Sequence, residues 1–480
     1  MKKQLAACFL FFALTPLWAA QSDDILQALH ADAKDHLTSL INIDTSAPDP
    51  DELKAARYIY KQFNKNGVDW DIFIPAKGRA NLMARIKGTD SKQKPLLLIS
   101  HLDTAPADAE QWQYPLFNAT EKNGNIYGLG ATDAKNYTAI YLALFNWLQK
   151  QPAQPVRDII FLATSGEESG SETGLLWLAE KHWDKINAGY ALNEGGGIIN
   201  DESGTNLVFA EAATKLYMNI QVTAFGTEGH SSMPADDNAV YRLSQALAKI
   251  ESYPIPAQLT PTAKTFFKRI TPLQDEDGQT TIQMLLSGNE QNRQNAAEIM
   301  AQDPFFRTQL KDTITPTILS ASRDTSATAA QASAVLNVRL LPTSDPDDFF
   351  NRLNALFEND DNIILEVLER PQMPAPQAMD GSDALFASIQ RTASRLLPNA
   401  ISVPGLSPAS GDNEFLRKLG VITYGLGPDM NPLEKNSAHA ADEFISEQSF
   451  YRQFDFVAGV VLDFAYQADL LPLSFHKKAQ

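Results

Sequence analysis

Two uninterrupted apolar runs, residues 94–100 (KPLLLIS) and 157–164 (RDIIFLAT), flank a stretch from residue 134 to 148 that is apolar almost all round. A run without polar alternation suits a strand covered on both faces. A helix with no polar side, here carrying Ile140, Leu142, Leu144, Phe145 and Leu148, suits burial against such strands. Strand, helix, strand in that order implies a parallel sheet inside an α/β layer. Residues 80–86, 189–193 and 421–426 read as further strands, so the layer draws on both ends of the chain.

Between these halves the pattern changes. Residues 216–225 alternate, 239–250 have helical spacing, 333–341 alternate again, 347–357 read as a helix and 362–368 as a strand. This predicts a βαββαβ module over residues 214–370, inserted between the two parts of a larger domain, 21–213 and 371–480. The middle of the insert, 252–316, is rich in Pro, Thr and Gln and shows no clear period.

The chain begins with Lys2 and Lys3, an apolar run over 5–17 and Ala19-Ala20, the layout of a signal peptide over residues 1–20. The expectation is export to the periplasm or beyond. That run is too short for a span, and no later stretch reaches the roughly 18 apolar residues a membrane helix needs, so stable insertion after cleavage is not expected. Cys8, the one cysteine, lies in the signal and leaves no disulfide. A net charge of −18 argues against nucleic acid as a partner, because phosphate binding needs clustered positive charge.

Several runs end in residues that bind metals. His101 and Asp103 follow the first strand directly, at the carboxyl end where open α/β sheets place ligands. An Asp two residues on can hold the second nitrogen of a metal-bound imidazole. Asp133 stands at the entrance to the buried helix, where it also suits an N-cap. Glu167 and Glu168 follow the second strand in TSGEES, and paired carboxylates repel unless a cation or shared proton compensates. Glu194 ends another strand in ALNEGGG, and His439 in NSAHAADEF lies past a strand near the carboxyl terminus. Taken singly, each has a structural reading as a cap, a turn or a loop residue. Convergence of five segments on one sheet edge favours a site.

The set has the arithmetic of two metals: His101 and Glu194 on one, Glu168 and His439 on the other, and Asp133 bridging. Each ion then has three protein ligands and room for water. A water between two ions has its pKa lowered towards neutrality and yields a metal-bridged hydroxide. Glu167, left over beside a ligand, is placed to take the water's proton and pass it to a leaving nitrogen.

These segments resemble zinc metallopeptidase family 20, the aminoacylase, carboxypeptidase G, carboxypeptidase S, carnosinase and succinyl-diaminopimelate desuccinylase family, over nearly the whole chain after the signal. The resemblance implies a mostly parallel-sheet zinc-exopeptidase catalytic domain with an inserted ferredoxin-like α+β lid and dimerisation domain. It implies metal ligands at His101, Asp133, Glu168, Glu194 and His439, a general base at Glu167, an orienting role for Asp103 and a cis peptide between Asp133 and Ala134. It implies two Zn2+, with Co2+ or Mn2+ as substitutes, and a homodimer. His230, in the segment GTEGHSS, matches a histidine that reaches the partner's active site and stabilises the oxyanion. Arg339 matches an arginine that binds a substrate carboxylate. ASGDNEFLRK is similar to the family's GGTDARFLRK, with departures: Ala409 and Ser410 replace two glycines, and Glu414 replaces an arginine. An acid there suits an ammonium or neutral group in the substrate.

The expected activity is hydrolysis of an amide or peptide bond in a small substrate by an exported di-zinc enzyme, of carboxypeptidase or dipeptidase type. One alternative is an N-acyl-amino-acid deacylase of the same family. An alternative from another class is a non-catalytic binding protein that keeps the fold. The intact ligand set and Glu167 argue against the last of these.

Overall fold

The computed structural model describes residues 15–64, 68–200, 204–322, 324–371, 377–409, 411–429 and 437–466, with side chains described from Asp24 onward. Residues 1–14 of the expected signal segment, with Cys8, and Ser410 lie outside these residues. The first helix runs Thr15–Ile41, and no helix among the described residues is long and apolar enough to cross a membrane.

The strands are β1 (Asp69–Ala76), β2 (Arg79–Ile86), β3 (Leu96–His101), β4 (Thr120–Lys122), β5 (Asn125–Tyr127), β6 (Ile159–Thr164), β7 (Tyr190–Asn193), β8 (Gly197–Asn200), β9 (Asn206–Thr214), β10 (Leu216–Phe225), β11 (Gly229–His230), β12 (Thr313–Ser320), β13 (Ala327–Thr328), β14 (Gln331–Leu340), β15 (Ile363–Glu369), β16 (Ile401–Ser407), β17 (Ile422–Gly425) and β18 (Phe444–Ser446). The main sheet has the order β1-β2-β6-β3-β7-β17-β9-β16, with β8 paired to β9. From β6 through β17 its strands are parallel.

Both faces of that centre are buried, as the unbroken apolar runs require. Leu96 and Leu98 of β3, with Ile159, Phe161 and Ala163 of β6, enter one core together with the helix Lys135–Leu148. Leu97, Ile99, Ile160 and Leu162 point the other way, into a core with Leu175, Leu178 and Leu416. Residues 80–86, 189–193 and 421–426, expected as strands, carry β2, β7 and β17. The flanking strands β1, β9 and β16 have no counterpart in the sequence reading.

A second sheet, β12-β14-β10-β15, is wholly antiparallel. In β10 and β14 alternate residues are buried, and their inward face packs on Leu243 and Ile250 of the helix Ala239–Glu251 and on Phe349 and Leu353 of the helix Pro346–Asn354. Strand order and connectivity make this a ferredoxin-like βαββαβ unit.

The poorly periodic stretch 252–316 contains four helices, Pro261–Ile270, Glu276–Leu285, Glu290–Met300 and Pro304–Leu310. They do not join the second sheet. Phe266, Phe267, Ile282 and Leu310 pack on Phe209 of β9 and Val403 of β16, and so cover the outer end of the main sheet.

Candidate metal centre

His101 ends β3, and its ring is fixed from behind: Nδ1 lies 2.9 Å from the main-chain oxygen of Asp103. A carbonyl only accepts, so Nδ1 carries the proton and Nε2 is left to face forward. The sequence reading gave this orienting contact to the Asp103 carboxylate, which instead lies 3.6 Å from Nδ1. That carboxylate accepts the backbone N–H groups of Glu167 at 3.1 Å and Glu168 at 3.2 Å, tying the first histidine's strand to the turn after β6. One short motif therefore holds two parts of the site.

In front of the ring, His101 Nε2 stands 3.0 Å from Asp133 Oδ1 and 3.2 Å from Glu194 Oε2. The other oxygen of Asp133 is 3.0 Å from His439 Nε2, and His439 Nε2 is 3.4 Å from Glu168 Oε1. Two triads result, His101–Asp133–Glu194 and Asp133–Glu168–His439, each with its donor atoms within 4.8 Å of one another and with Asp133 shared. The Asp133-Ala134 peptide is cis. Glu194 leaves β7 on Gly195-Gly196-Gly197; a Cβ on Gly196, at φ 67°, would stand 2.3 Å from the oxygen of Phe209, so no side chain fits there.

The charges fit a cation. Burial drives the Glu194 carboxyl up to about 7, with His101 opposing and Asp133 adding to the rise. Burial, then the charge of Glu194, also pushes Glu167 well above the usual carboxylate range. Burial pulls His101 down, but Glu194 and its other acidic partners outweigh it and raise the imidazole well above normal. His439 is raised to about 11 by its contacts with Asp133 and Glu168. A neutral imidazole with Nδ1 donating would turn a lone pair on two carboxylates. The set therefore requires either an extra proton on each histidine or a cation between the groups. Two nitrogens and three carboxylates suit zinc and other first-row divalent ions.

Glu167 lies beside the triads and belongs to neither. With Asp133, Glu168, Glu194 and His439 it lines a cavity of ≈ 330 Å³. Arg339 is on β14, its guanidinium 4.5 Å from the Tyr217 ring centroid and 3.3 Å from the oxygen of Pro408. Glu414 is held by Lys418 at 2.7 Å. Its charge is met within its own helix, and it lines a cavity together with Glu167 and Glu168. His230 is away from this cluster: it is exposed on the β11–β13 pair, with Nδ1 2.8 Å from the Ser232 hydroxyl.

Sequence reasoning missed the residues that hold the ligands. Glu443, buried, accepts the N–H groups of Gly130, Thr132 and Asp133 at 3.0, 2.8 and 3.2 Å and so shapes the loop that presents Asp133. Its one sequence signal is its place in NSAHAADEF, four residues after His439. Asn413 donates to the main-chain oxygen of Glu194 at 2.9 Å and to Glu211 at 2.6 Å, and the buried Arg417 grips the same Glu211 with two bonds of 2.8 Å. Asp442 steadies the His439 loop by accepting from the N–H groups of Gln113 and Tyr114 at 2.8 and 3.2 Å.

The profile of Peptidase family M20/M25/M40 matches residues 97–463. The chain is 26% identical over 383 residues to the mouse N-fatty-acyl-amino acid synthase/hydrolase, covering 78% of this chain and 74% of that protein. It is 29% identical over 418 residues to a Staphylococcus aureus protein named probable succinyl-diaminopimelate desuccinylase, covering 84% of this chain and 91% of that one. The crystal structure of an M20 family metallo-carboxypeptidase from Sulfolobus solfataricus has a TM-score of 0.63 at 19% identity, over 90% of this chain and 98% of that chain. This last likeness concerns the fold.

Proposed function

This chain belongs to peptidase family M20/M25/M40 and is a metallohydrolase of the peptidase and amidohydrolase type, and from that premise we propose that it is exported and uses two zinc ions to hydrolyse an amide or peptide bond in a small substrate. The observation that carries this reading is Asp133, whose two oxygens each meet a different histidine while Glu167 stands free beside them.

Zinc, when bound, supplies Lewis acidity that polarises the scissile carbonyl and acidifies water. His101, Glu194, Glu168, His439 and the bridging Asp133 would hold the pair. Glu167 takes a proton from the attacking water and returns it to the leaving nitrogen, so one water is consumed and an acid and an amine are released. Burial and the charge of Glu194 raise its carboxyl above the usual carboxylate range, so it holds a proton more firmly than an ordinary glutamate and suits delivery to the leaving nitrogen. Residues 214–370 form the lid and the contact between two copies. His230, exposed on that unit, serves the partner's site as an oxyanion donor. Arg339 orients the polar end of the substrate. The N-terminal segment directs the chain to the periplasm or outside the cell.

Glu167→Ala is the direct test. It is expected to keep both metals by elemental analysis and to lose turnover by roughly 10²–10⁴-fold. Near-normal turnover in that variant, or failure of the wild-type protein to retain any divalent metal, overturns the reading. The peptide and N-acyl-amino-acid readings share this chemistry, and the second is favoured by a cavity of ≈ 380 Å³ that adjoins the cluster's own at Thr132 and Ala438 and is walled by Phe209, Phe305, Leu406 and Pro428.

A further inference from the structure

Three consecutive residues at the head of the helix Asp412–Lys418 reach three different parts of the cluster. Gly411 is a wall against the Glu167 carboxyl, where an added Cβ would stand 2.8 Å from Oε1. Asn413 donates to the main-chain oxygen of Glu194 at 2.9 Å. Asp412, between them, reaches the turn after β6 that carries Glu167 and Glu168.

Asp412 brackets that turn. Its Oδ2 accepts from the hydroxyl of Thr164, the last residue of β6, at 3.3 Å, and its Oδ1 accepts from the hydroxyl of Ser171 at 2.5 Å. The N–H of Ser171 closes the turn on the oxygen of Gly166 at 2.6 Å. Ser171 has φ 62°, a left-handed backbone that glycine adopts freely and that Gly166 and Gly170 also adopt in this turn. A serine there is strained, and what it has that glycine lacks is the hydroxyl on Asp412.

Asp412 is buried, and among the described residues no lysine or arginine pairs with it. Burial pushes its carboxyl up to about 6 against the Ser171 bond. A buried carboxylate met only by hydroxyls does little for the stability of a fold. Nor is it among the residues lining the central cavity, so it does not meet the reacting atoms. Strain at Ser171 and a buried acid at Asp412 thus fall on the one turn where a metal ligand and a free acid are neighbours. Asp103 holds the N–H groups of Glu167 and Glu168 from one side only. Without a second anchor the turn can pivot on that contact and exchange the two side chains at the metal.

Resting on the proposed two-metal hydrolysis, we propose that Asp412 is a positioning residue: through Ser171 and Thr164 it fixes the turn so that Glu168 stays on the metal it shares with Asp133 and His439, while Glu167 stays off it. Glu167 is then free for the proton.

Zinc titration of the full chain against a chromophoric chelator tests this without a substrate. Ser171→Gly removes only the hydroxyl, at a φ that glycine favours. One of its two zinc affinities is expected to fall by roughly 10–100-fold, with the other within about twofold of wild type. With zinc saturating, kcat on acetyl-leucine or alanyl-leucine is expected to fall by on the order of 10–100-fold at unchanged KM. Asp412→Asn is expected to repeat both effects, and the double variant to be no worse than either single one, because the two side chains act as a unit. If Ser171→Gly does not fold, Asp412→Asn decides alone. Equal loss at both zinc sites, no loss at either, native kcat in the saturated variants, or losses that add in the double variant overturn the inference. Wild-type protein that binds two zinc ions and hydrolyses neither probe overturns the proposed reaction instead, and the titration still decides the role of Asp412.

Discussion

A methyl group added at Gly411 would stand 2.8 Å from Glu167 Oε1, closer than carbon and oxygen normally approach. The backbone there is extended, φ 170°, so the constraint is room and not conformation. Gly411→Ala is therefore expected to displace the Glu167 carboxyl, lowering kcat by on the order of 10–100-fold with little change in the unfolding midpoint. Steady-state kinetics beside a melting curve decide it, and full kcat sets Glu167 free of this wall. The contrast with Glu167 itself shows what a sequence yields at this scale. His101, Glu167, Glu168 and Glu194 were legible because each ends an apolar run, and such runs fix where the chain leaves the sheet. Glu443, Asn413 and Glu211 were not. Their partners are backbone groups or one another, brought together by folding across separations of 313, 219 and 202 residues, and no local pattern marks them.

Single residues also join whole elements. Lys215 is the only residue between β9 of the main sheet and β10 of the second sheet, and it is fully buried. Its N–H donates to Ser407 and its ammonium to the main-chain oxygen of Lys311 at 2.6 Å. Next to it, Asp312 accepts from the N–H of Leu341 at 2.6 Å and from the Ser344 hydroxyl. Three passages of the chain between the sheets are thus laced at one point. Burial, against the pull of Asp312, lowers Lys215 from 10.5 to about 8. Between those values the unfolded chain binds more protons than the folded one, so stability rises with pH across that window. Measured against Lys215→Met, the native protein should gain up to roughly 3 kcal/mol between pH 8 and 10.5, at about 1.4 kcal/mol per unit. A difference that stays flat with pH removes Lys215 from this role. At the scale of elements the strands of the second sheet were readable from strict alternation, with β10 covering the expected residues. The four-helix insert was not, because its faces are short and pack on a sheet edge. Its signals were the caps: Thr260 before Pro261 and Asp303 before Pro304, with Asp275 and Asn289 between, each accepting an N–H of its first turn.

For the whole molecule, the proposed dimer has a sharp consequence. The second sheet ends in β12, whose residues from Pro316 onward are exposed, Ile318 and Leu319 among them. An edge of this kind suits pairing with a second copy. If His230 works across such a contact, Glu167→Ala and His230→Ala homodimers are each nearly inactive. Mixing and re-forming them restores roughly a quarter of native activity, since half the random dimers carry one complete site of two. No recovery on mixing places His230 outside the partner's site.

Strand β17, from residues 422–425, sits between β7 and β9, and the whole second sheet is threaded out and back before it arrives. The main sheet therefore lacks a central strand, and the cluster lacks His439, until the polypeptide has been made through residue 439. An enzyme so arranged acquires its chemistry last, and a nascent or clipped chain carries none.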